Sequence, residues 1–348
     1  MKKILVLGGT GFVGAHVCEK LVREGWQVTV PTRRRNNARN VMPLPGLTVL
    51  ELDVHDEAAL TRAMAGHDAV VNLVAILHGS AAAFEKVHVA LPQKIARACQ
   101  TTGIAQVVHI SAVGADAGAP QAAPSLYLRS KSQGEAVFMQ AAQGGGASAS
   151  PKAGFDLTVL RPSVIFGAGD KFLNLFAKLQ KVLPIMPLAG ADARFQPVWV
   201  QDVASAVVHS LGLPGGLHLP SPRVLELCGP QVFTLKELVQ LSAQLSGVRG
   251  GRGRPVIGLP MWLGRLQAGL MSLKPGEPLM SADNLDSMQV DNVASGKLPG
   301  LTDLGTTPAA LGPIALDYLT QSQPGYGLPG LRLRAGALRR KTQNVRSI

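Results

Sequence analysis

A tyrosine and a lysine four residues apart are the side chains of this sequence best suited to move a proton. Tyr127 and Lys131 lie in the stretch SLYLRSKSQGEAVF, whose composition favours a helix. In a helix, positions i and i+4 lie on one face, one turn apart. We expect the lysine ammonium to lower the pKa of the phenol, which can then exchange a proton with a substrate oxygen. Because this spacing is common by chance, its place in the fold decides its meaning.

Three glycines near the N-terminus indicate a different chemistry, the binding of a pyrophosphate. In KKILVLGGTGFVGAHV, Gly8, Gly11 and Gly14 lie between an apolar run and an amphipathic segment. Gly8 permits a tight turn, Gly11 lets the backbone approach a pyrophosphate at the helix N-terminus, and Gly14 allows close helix packing. The strand–turn–helix context makes the glycine spacing much more specific. We therefore predict a dinucleotide site, with Thr10 and Phe12 in the same turn.

The end of the second predicted strand selects the cofactor. An acid at this position would hold the ribose hydroxyls of NAD, but the strand reads VTVPTRRR and carries no acid. Arg33, with Arg34 or Arg35 beside it, can form charge-assisted bonds to a 2′-phosphate. This favours NADP(H), and NAD(H) is the alternative. The competing interpretation is a solvated basic loop.

Two further strand ends are expected to contact the cofactor. Asp53 and Val54 follow the third predicted strand, where an acid can accept from the adenine amino group. Leu73, Val74 and Ala75 follow the fourth, where backbone and small side chains line the nicotinamide ribose. Each position alone is weak, but their order along the chain is the order that the fold requires.

Ser111 is the candidate hydrogen-bond donor to a substrate oxygen and a further candidate cofactor contact. It lies in HISAVGA, at the end of a strand predicted over 106–111. If Ser111 belongs to the strand itself, Ala112 occupies the position expected for the donor. Tyr127 and Lys131 would then bind the cofactor without completing a catalytic site.

Alternating strand-like and helix-like runs position these residues and predict an α/β fold, a doubly wound parallel sheet. A smaller substrate-side lobe is expected after it. We predict a dinucleotide-binding domain over 1–172, to which a strand and helix near 195–211 return, a mixed lobe over 173–320 and a disordered basic tail over 321–348. Strands are predicted at 3–7, 27–31, 48–52, 69–74, 106–111 and 157–160, and helices at 12–24, 57–64 and 87–102.

Composition narrows the class and location of the protein. The net charge is +12, yet interleaved aromatics and nucleic-acid-binding motifs are missing, which argues against nucleic acid. Three widely spaced cysteines give no ligand spacing, so we expect no metal and a reducing compartment. Glycines interrupt the first apolar run, so no export is predicted. These features favour the cytoplasm.

The segment 260–273, PMWLGRLQAGLMSL, predicts an amphipathic helix outside the cofactor domain. One interpretation is a helix that packs over the substrate cleft. The other is an interfacial helix that contacts a membrane or a quinone. Together with the basic tail, the second predicts peripheral attachment to an anionic surface on the inner face of the cytoplasmic membrane.

Several motifs together resemble those of a known family. GGTGFVG, VPTRR, YLRSKSQGE, LRPSVIFGAGDKFLNLFAKL and QPVWVQDVA are similar to atypical, extended short-chain dehydrogenases related to the NAD(P)H-binding accessory subunit of respiratory complex I. The resemblance implies a Rossmann fold, tight NADPH binding and a structural or assembly role, without implying turnover. It also implies that Pro162 passes close to the nicotinamide. The distance from Ser111 to Tyr127 is shorter than is usual in the family.

Three functions follow as expectations. The first is an NADP(H)-binding accessory or assembly factor whose partner belongs to a respiratory complex or to quinone biosynthesis. The second is an active oxidoreductase, epimerase or dehydratase acting on a small or isoprenoid substrate. The third is a redox sensor similar to NmrA that binds dinucleotide without chemistry.

Overall fold

The computed structural model describes residues 1–144, 154–212, 219–272 and 280–320. The predicted tail lies outside the described residues. The strands are β1 Lys3–Leu7, β2 Gln27–Thr32, β3 Leu47–Glu51, β4 Ala69–Asn72, β5 Gln106–Ile110, β6 Asp156–Pro162, β7 Ile165–Phe166, β8 Met186–Ala189, β9 Arg194–Phe195, β10 Val198–Trp199, β11 Arg223–Leu227, β12 Phe233–Thr234 and β13 Val256–Leu259.

The helices alternate with these strands along the first half of the chain. They are α1 Phe12–Arg23, α2 Glu57–Met64, α3 Ala81–Glu85, α4 Leu91–Thr102, α5 Leu126–Ala142, α6 Leu173–Val182, α7 Val200–Ser210, α8 Leu235–Leu245, α9 Met261–Ser272, α10 Ala282–Ser287 and α11 Leu311–Thr320. Short 3₁₀ turns span Arg35–Ala38 and Thr302–Leu304, and a π-helical turn spans Lys86–Ala90.

Seven strands form one parallel sheet in the order β11-β6-β5-β4-β1-β2-β3. This confirms the predicted doubly wound α/β fold. The order reverses between β1 and β4, and ligands of such sheets bind at the carboxyl ends of the strands where the order reverses. The crevice above β1 and β4 is therefore the expected binding edge.

Helices cover both faces of the sheet because successive strand side chains point to opposite sides. Ile4 and Val6 of β1 belong to a core cluster with α1 and α7, whereas Leu5 and Leu7 belong to a second cluster with α2, α4 and α5. The contact of α7 with α1 is consistent with the return near 195–211, and the division of the chain at residue 172 stays a prediction.

Element boundaries agree closely with the sequence where burial is periodic. β1 and α2 have the predicted bounds, and β5 ends one residue early, at Ile110. The helix predicted from residue 87 instead begins at Ala81, since Ser80 Oγ caps it by accepting from Ala83 N. It continues through the π-helical turn into α4.

The C-terminal lobe combines short sheets with helices. β8 pairs with β13, β9 with β12, and β7 with β10. Among the described residues, no helix has both the length and the apolar character needed to cross a bilayer.

Candidate functional site

The turn after β1 has the geometry that a pyrophosphate requires. Gly8 has a φ of +82°, which favours glycine, and its carbonyl accepts from Gly11 N at 3.0 Å. A Cβ on Gly14 would lie 2.2 Å from the Gly8 carbonyl oxygen, so only glycine allows α1 to start this close to the turn. Gly11 caps α1 without a side-chain bond, which leaves the helix N-terminus to an anion. Thr10 and Phe12 are half-buried in the same turn.

The loop after β4 adjoins this turn. A Cβ on Gly8 would lie 3.0 Å from the Leu73 carbonyl carbon, so the two backbones are in contact. Asn72 is buried at the end of β4, and its Oδ1 accepts from Val74 N at 3.2 Å. Leu73 and Val74 are half-buried, and Ala75 is exposed. The predicted nicotinamide-ribose residues therefore lie where the sheet order reverses.

A cavity of about 590 Å³ opens at the carboxyl ends of β2 and β3, and Arg33, Arg34, Asn37 and Asp53 are among the residues that line it. Both arginines are exposed and form no ion pair with any described residue. Asp53 Oδ1 accepts from the backbone of its own turn, at His55 N.

The lining also contains Glu51, so two carboxylates lie in this cavity beside the two guanidinium groups. Val54, the other residue predicted for the adenine, is half-buried next to Asp53. The residues present fit a nicotinamide dinucleotide from its adenosine end to its pyrophosphate.

Ser111 follows β5 instead of belonging to it. Its backbone N donates to Leu160 O at 2.7 Å, while its side-chain Oγ is buried without a hydrogen-bond partner among the described residues. Whether Ser111 or Ala112 occupies the expected donor position stays a prediction. An unpartnered buried hydroxyl is unusual and marks a group that a ligand can satisfy.

Tyr127 and Lys131 lie one turn apart on α5, as predicted, but their electrostatics differ from the expectation. Burial raises the pKa of Tyr127 to about 12, so the phenol stays protonated near neutral pH. Burial also lowers the pKa of Lys131 to about 8, against the attraction of Glu135. Lys131 Nζ donates to the Ile110 carbonyl at 2.7 Å. This tyrosine is suited to give a proton and not to take one.

A buried ion pair fixes the helix that carries both residues. Glu135, one turn beyond Lys131, accepts two bonds from the guanidinium of Arg161 on β6, at 3.0 and 2.5 Å. The Glu135 side chain is fully buried. The next residue of the strand, Pro162, is buried at the end of β6, and its carbonyl accepts from Val113 N.

His88 is a site residue that sequence reasoning missed. Its Nε2 accepts from Ile76 N at 3.1 Å, and its Nδ1 lies 2.8 Å from Ser130 Oγ, which donates to the Tyr127 carbonyl. Burial lowers the pKa of His88 to about 3, so the ring is neutral and its proton is on Nδ1. This chain ties the loop after β4 to α5. The only signal was a histidine in an apolar run.

Asp283 connects the C-terminal lobe to the same helix. Its carboxylate accepts from Leu126 N at 2.6 Å and from Tyr127 N at 3.1 Å, in the first turn of α5. It is itself in α10, after a capping box formed by Ser281 and Asn284. The start of the tyrosine helix is therefore held by the lobe, which no local pattern predicts.

Asp202 is buried at the start of α7 and contacts the C-terminal part of the chain. α7 begins at Val200, so Asp202 lies within its first turn, and its Oδ2 accepts from Ala309 N at 2.8 Å. Among the described residues, no group of three or more His, Cys, Asp or Glu side chains is placed to hold a metal ion.

Comparison with known proteins agrees with this geometry. The model of the NAD dependent epimerase/dehydratase family matches residues 4–216. The chain is 31% identical over 319 residues to the mouse (Mus musculus) NADH dehydrogenase [ubiquinone] 1 alpha subcomplex subunit 9, mitochondrial, covering 88% of this chain and 76% of the relative. It is 26% identical to the NADH-ubiquinone oxidoreductase 40 kDa subunit of Neurospora crassa, covering 93% and 81%.

Among solved structures, the chain is similar to the Thermus thermophilus UDP-glucose 4-epimerase complex with NAD. The TM-score is 0.62 at 19% identity, over 91% of this chain and 98% of the epimerase. At this identity the likeness concerns the fold alone.

Proposed function

Since the chain belongs to the NAD dependent epimerase/dehydratase family, we propose that it binds NADP(H) and serves as an accessory or assembly factor of a respiratory or quinone-related membrane complex. The cavity walled by Arg33 and Arg34 carries the cofactor preference, because it offers two unpaired guanidinium groups and β2 ends without an acid. The glycine turn and the loop after β4 supply the pyrophosphate and ribose contacts.

Titration calorimetry with NADPH and NADH tests the preference. We expect NADPH to bind at least tenfold more tightly, a difference of about 1.4 kcal/mol. Arg33→Ala should remove most of that difference and leave NADH affinity unchanged. Arg39→Ala is the matched control, because Arg39 is exposed on the same loop and does not line the cavity. Equal affinities in the wild-type protein would reject the preference.

The accessory role is supported by the mouse and Neurospora relatives, whose names place them in the mitochondrial NADH dehydrogenase. We expect membranes from cells that lack the protein to lose NADH:quinone oxidoreductase activity or quinone content. The wild-type chain should restore the loss, and Gly14→Ala should not. Normal activity and normal quinone content in the deletion strain would argue against the role.

A second candidate is an active oxidoreductase, which the unpartnered Ser111 hydroxyl favours. Bound NADPH would supply a hydride to a substrate carbonyl. The protonated Tyr127 phenol would give a proton to the substrate oxygen, and Ser111 would donate a hydrogen bond to it. Lys131 would hold the cofactor ribose.

Tyr127→Phe separates the two candidates. In an enzyme the rate of NADPH oxidation should fall about 100-fold while NADPH affinity changes by only a few fold. In an accessory protein the same variant should have unchanged affinity, and neither variant nor wild type should oxidise NADPH with any carbonyl substrate tried. A wild-type rate that collapses in Tyr127→Phe would favour the enzyme.

The proposal also places the protein at the inner face of the cytoplasmic membrane as a peripheral component. The basic tail at 321–348 and the amphipathic character of α9 support this location.

A further inference from the structure

Two chain segments without any acidic residue meet on one side of the C-terminal lobe. Residues 171–191 and 238–276 contain no aspartate or glutamate, although they contain eight lysines and arginines. The segments pair through β8 and β13, with Val256 aligned to Met186. We name the surface formed by residues 178–189 and 249–269 the β8–β13 face. Arg265 of this face pairs with Asp286 of α10 at 2.7 Å, so the argument rests on the arginines at 249 and 252.

Arginines of this face line a cavity. Arg249, Arg252 and Arg254 surround a volume of about 430 Å³, and no carboxylate is among the lining residues. Arg249 and Arg252 are exposed and form no ion pair with any described residue. A concave surface with several cations concentrates anions, and guanidinium groups match the geometry of phosphate oxygens.

The arginine loop has a defined conformation. Arg254 N donates to Oε1 of Gln180 at 3.0 Å, and Arg254 Nε donates to its carbonyl at 3.1 Å. The Gln180 side chain is fully buried. Gly253 has a φ of +67°, and a Cβ there would lie 2.7 Å from the Ala243 Cβ. Arg249 itself has a φ of +51°, where glycine would be easier by about 1 kcal/mol. Arg249 therefore occupies a strained backbone position.

Large apolar side chains in β13 and in the helix that follows it are exposed to solvent. Trp262 is 67% exposed and Leu266 is 59% exposed, one turn apart on α9, and Ile257 of β13 is 47% exposed. The opposite side of α9 packs through small residues, since a Cβ on Gly264 would lie 2.3 Å from the Ala189 Cβ and Ala268 is buried. In this part of α9 the buried residues Gly264 and Ala268 are small, whereas the large side chains of Trp262 and Leu266 are exposed.

We propose that the β8–β13 face docks on an anionic phospholipid bilayer, with a headgroup phosphate in the arginine cavity and Trp262 and Leu266 in the interfacial layer. A bilayer surface presents both chemistries at once, because phosphates lie directly above acyl chains and tryptophan prefers the boundary between them. The inference rests on the membrane-linked role proposed above. It adds to the basic tail a membrane contact that belongs to the folded lobe and depends on Arg249 and Arg252.

Vesicle co-sedimentation of the full chain tests this inference. We expect binding to vesicles of phosphatidylcholine with phosphatidylglycerol at low salt, weaker binding at high salt and little binding to phosphatidylcholine alone. The double variant Arg249→Ala, Arg252→Ala should lower the vesicle partition coefficient about 30-fold. Trp262→Ala should lower it about tenfold at either salt concentration.

Matched controls remove the same charge elsewhere or test the tail. Arg39→Ala with Arg62→Ala removes two exposed arginines far from the face in sequence and should change the partition coefficient less than about twofold. A chain ending at Thr320 should keep vesicle binding that depends on Arg249 and Arg252. NADPH affinity, measured on every variant, reports whether the fold is intact.

Three results would overturn the inference. Wild-type protein that stays in the supernatant with anionic vesicles while binding NADPH would reject docking and leave the cofactor proposal standing. Loss of all vesicle binding on removal of the tail, with no effect of the arginine pair, would assign the contact to residues 321–348. Binding of free glycerol phosphate at the arginine cavity without vesicle binding would make it a site for a dissolved phosphate ligand.

Discussion

Lys131 is a cation in the interior of the protein, and the residues around it explain both its cost and its use. Its Nζ donates to the Ile110 carbonyl, and Glu135 attracts it from one turn away. These partners do not offset the free-energy cost of removing the ammonium from water. The pKa therefore falls from 10.5 to about 8. A ribose hydroxyl would give the ammonium one more acceptor.

The lowered pKa of Lys131 predicts how stability changes with pH. Between about pH 8 and 10.5 the folded lysine releases its proton while the unfolded lysine keeps it, so the unfolded state binds more protons and stability rises with pH. From pH 7.5 to 9.5 the gain should be about 2 kcal/mol. Lys131→Met should lack this gain.

Urea unfolding of both proteins at the two pH values measures the gain. The buried thiols, whose raised pKa values act in the opposite direction above pH 9, contribute equally to wild type and variant and cancel in the difference. A wild type that shows the same pH dependence as Lys131→Met would contradict the assignment.

The Arg161–Glu135 pair predicts a large effect on stability. Arg161→Met leaves a fully buried carboxylate without its partner, and breaking such a pair costs about 3–5 kcal/mol. The double variant Arg161→Met, Glu135→Leu should recover most of that loss, because no isolated charge remains. Denaturant midpoints of the two variants and the wild type test this. A double variant no more stable than the single one would show that the ion pair stabilises the fold by more than the mutual neutralisation of its two charges.

Single residues of the site were predictable to different degrees. Gly8, Gly14 and the Tyr127–Lys131 pair follow from short-range spacing, and the structure places them as expected. Ser111 depended on a strand boundary that sequence cannot fix to one residue. His88 and Asp283 act through contacts between distant segments, and no local pattern reports such contacts.

At the scale of elements, α1 lies so close to the turn after β1 that a single added methyl group at residue 14 should change NADPH affinity. Gly14→Ala would bring a Cβ to 2.2 Å from the Gly8 carbonyl oxygen, so α1 must move away from the turn. We expect the Kd for NADPH to rise at least about 100-fold, since the helix N-terminus no longer meets the pyrophosphate. Calorimetry, with far-ultraviolet circular dichroism as a check on the fold, measures this.

Gly312→Ala is the matched control for that substitution. Gly312 is also in the first turn of a helix, and a Cβ there would meet no atom within 4 Å. NADPH affinity should be unchanged in this variant. A similar loss of affinity in both variants would mean that the effect of Gly14→Ala is not local.

Elements were predicted well where burial repeats at a fixed period. The strands β1 to β6 are short apolar runs whose bounds agree with the prediction within two residues, whereas β11 at the edge of the sheet was not predicted. The helix from Ala81 was partly missed because its first turns, AAAFEKVH, carry a weak apolar stripe and then pass through a π-helical turn. The two-residue strands β7, β9, β10 and β12 are too short to show a period, and they form only because they pair with one another.

At the scale of the whole molecule, Asp283 from the C-terminal part of the chain supports the first turn of the tyrosine helix. Asp283→Ala should remove both acceptors from the first turn of α5, destabilise the protein by about 1–2 kcal/mol and weaken NADPH binding. Asp283→Asn keeps one acceptor oxygen and should have a smaller effect on both quantities. Denaturation and calorimetry check the pair. Equal effects of the two substitutions would mean that acceptor number does not matter.

The link between Asp170 and Tyr318 has a consequence for how the chain folds during synthesis. The Asp170 carboxylate accepts from Gly167 N, Phe172 N and Asn174 N, and its Oδ2 also accepts from the Tyr318 hydroxyl at 2.7 Å. Gly167 lies next to Phe12 of the glycine turn, since a Cβ there would be 3.5 Å from the Phe12 ring. Tyr318, which completes the hydrogen bonds around Asp170, is therefore among the last described residues to leave the ribosome.

A nascent chain released from the tunnel only as far as α10 has the sheet and the glycine turn but lacks the Asp170–Tyr318 hydrogen bond. Ribosome-stalled chains that expose α11 should accordingly resist protease around residue 170, and chains stalled before α11 should be cut there.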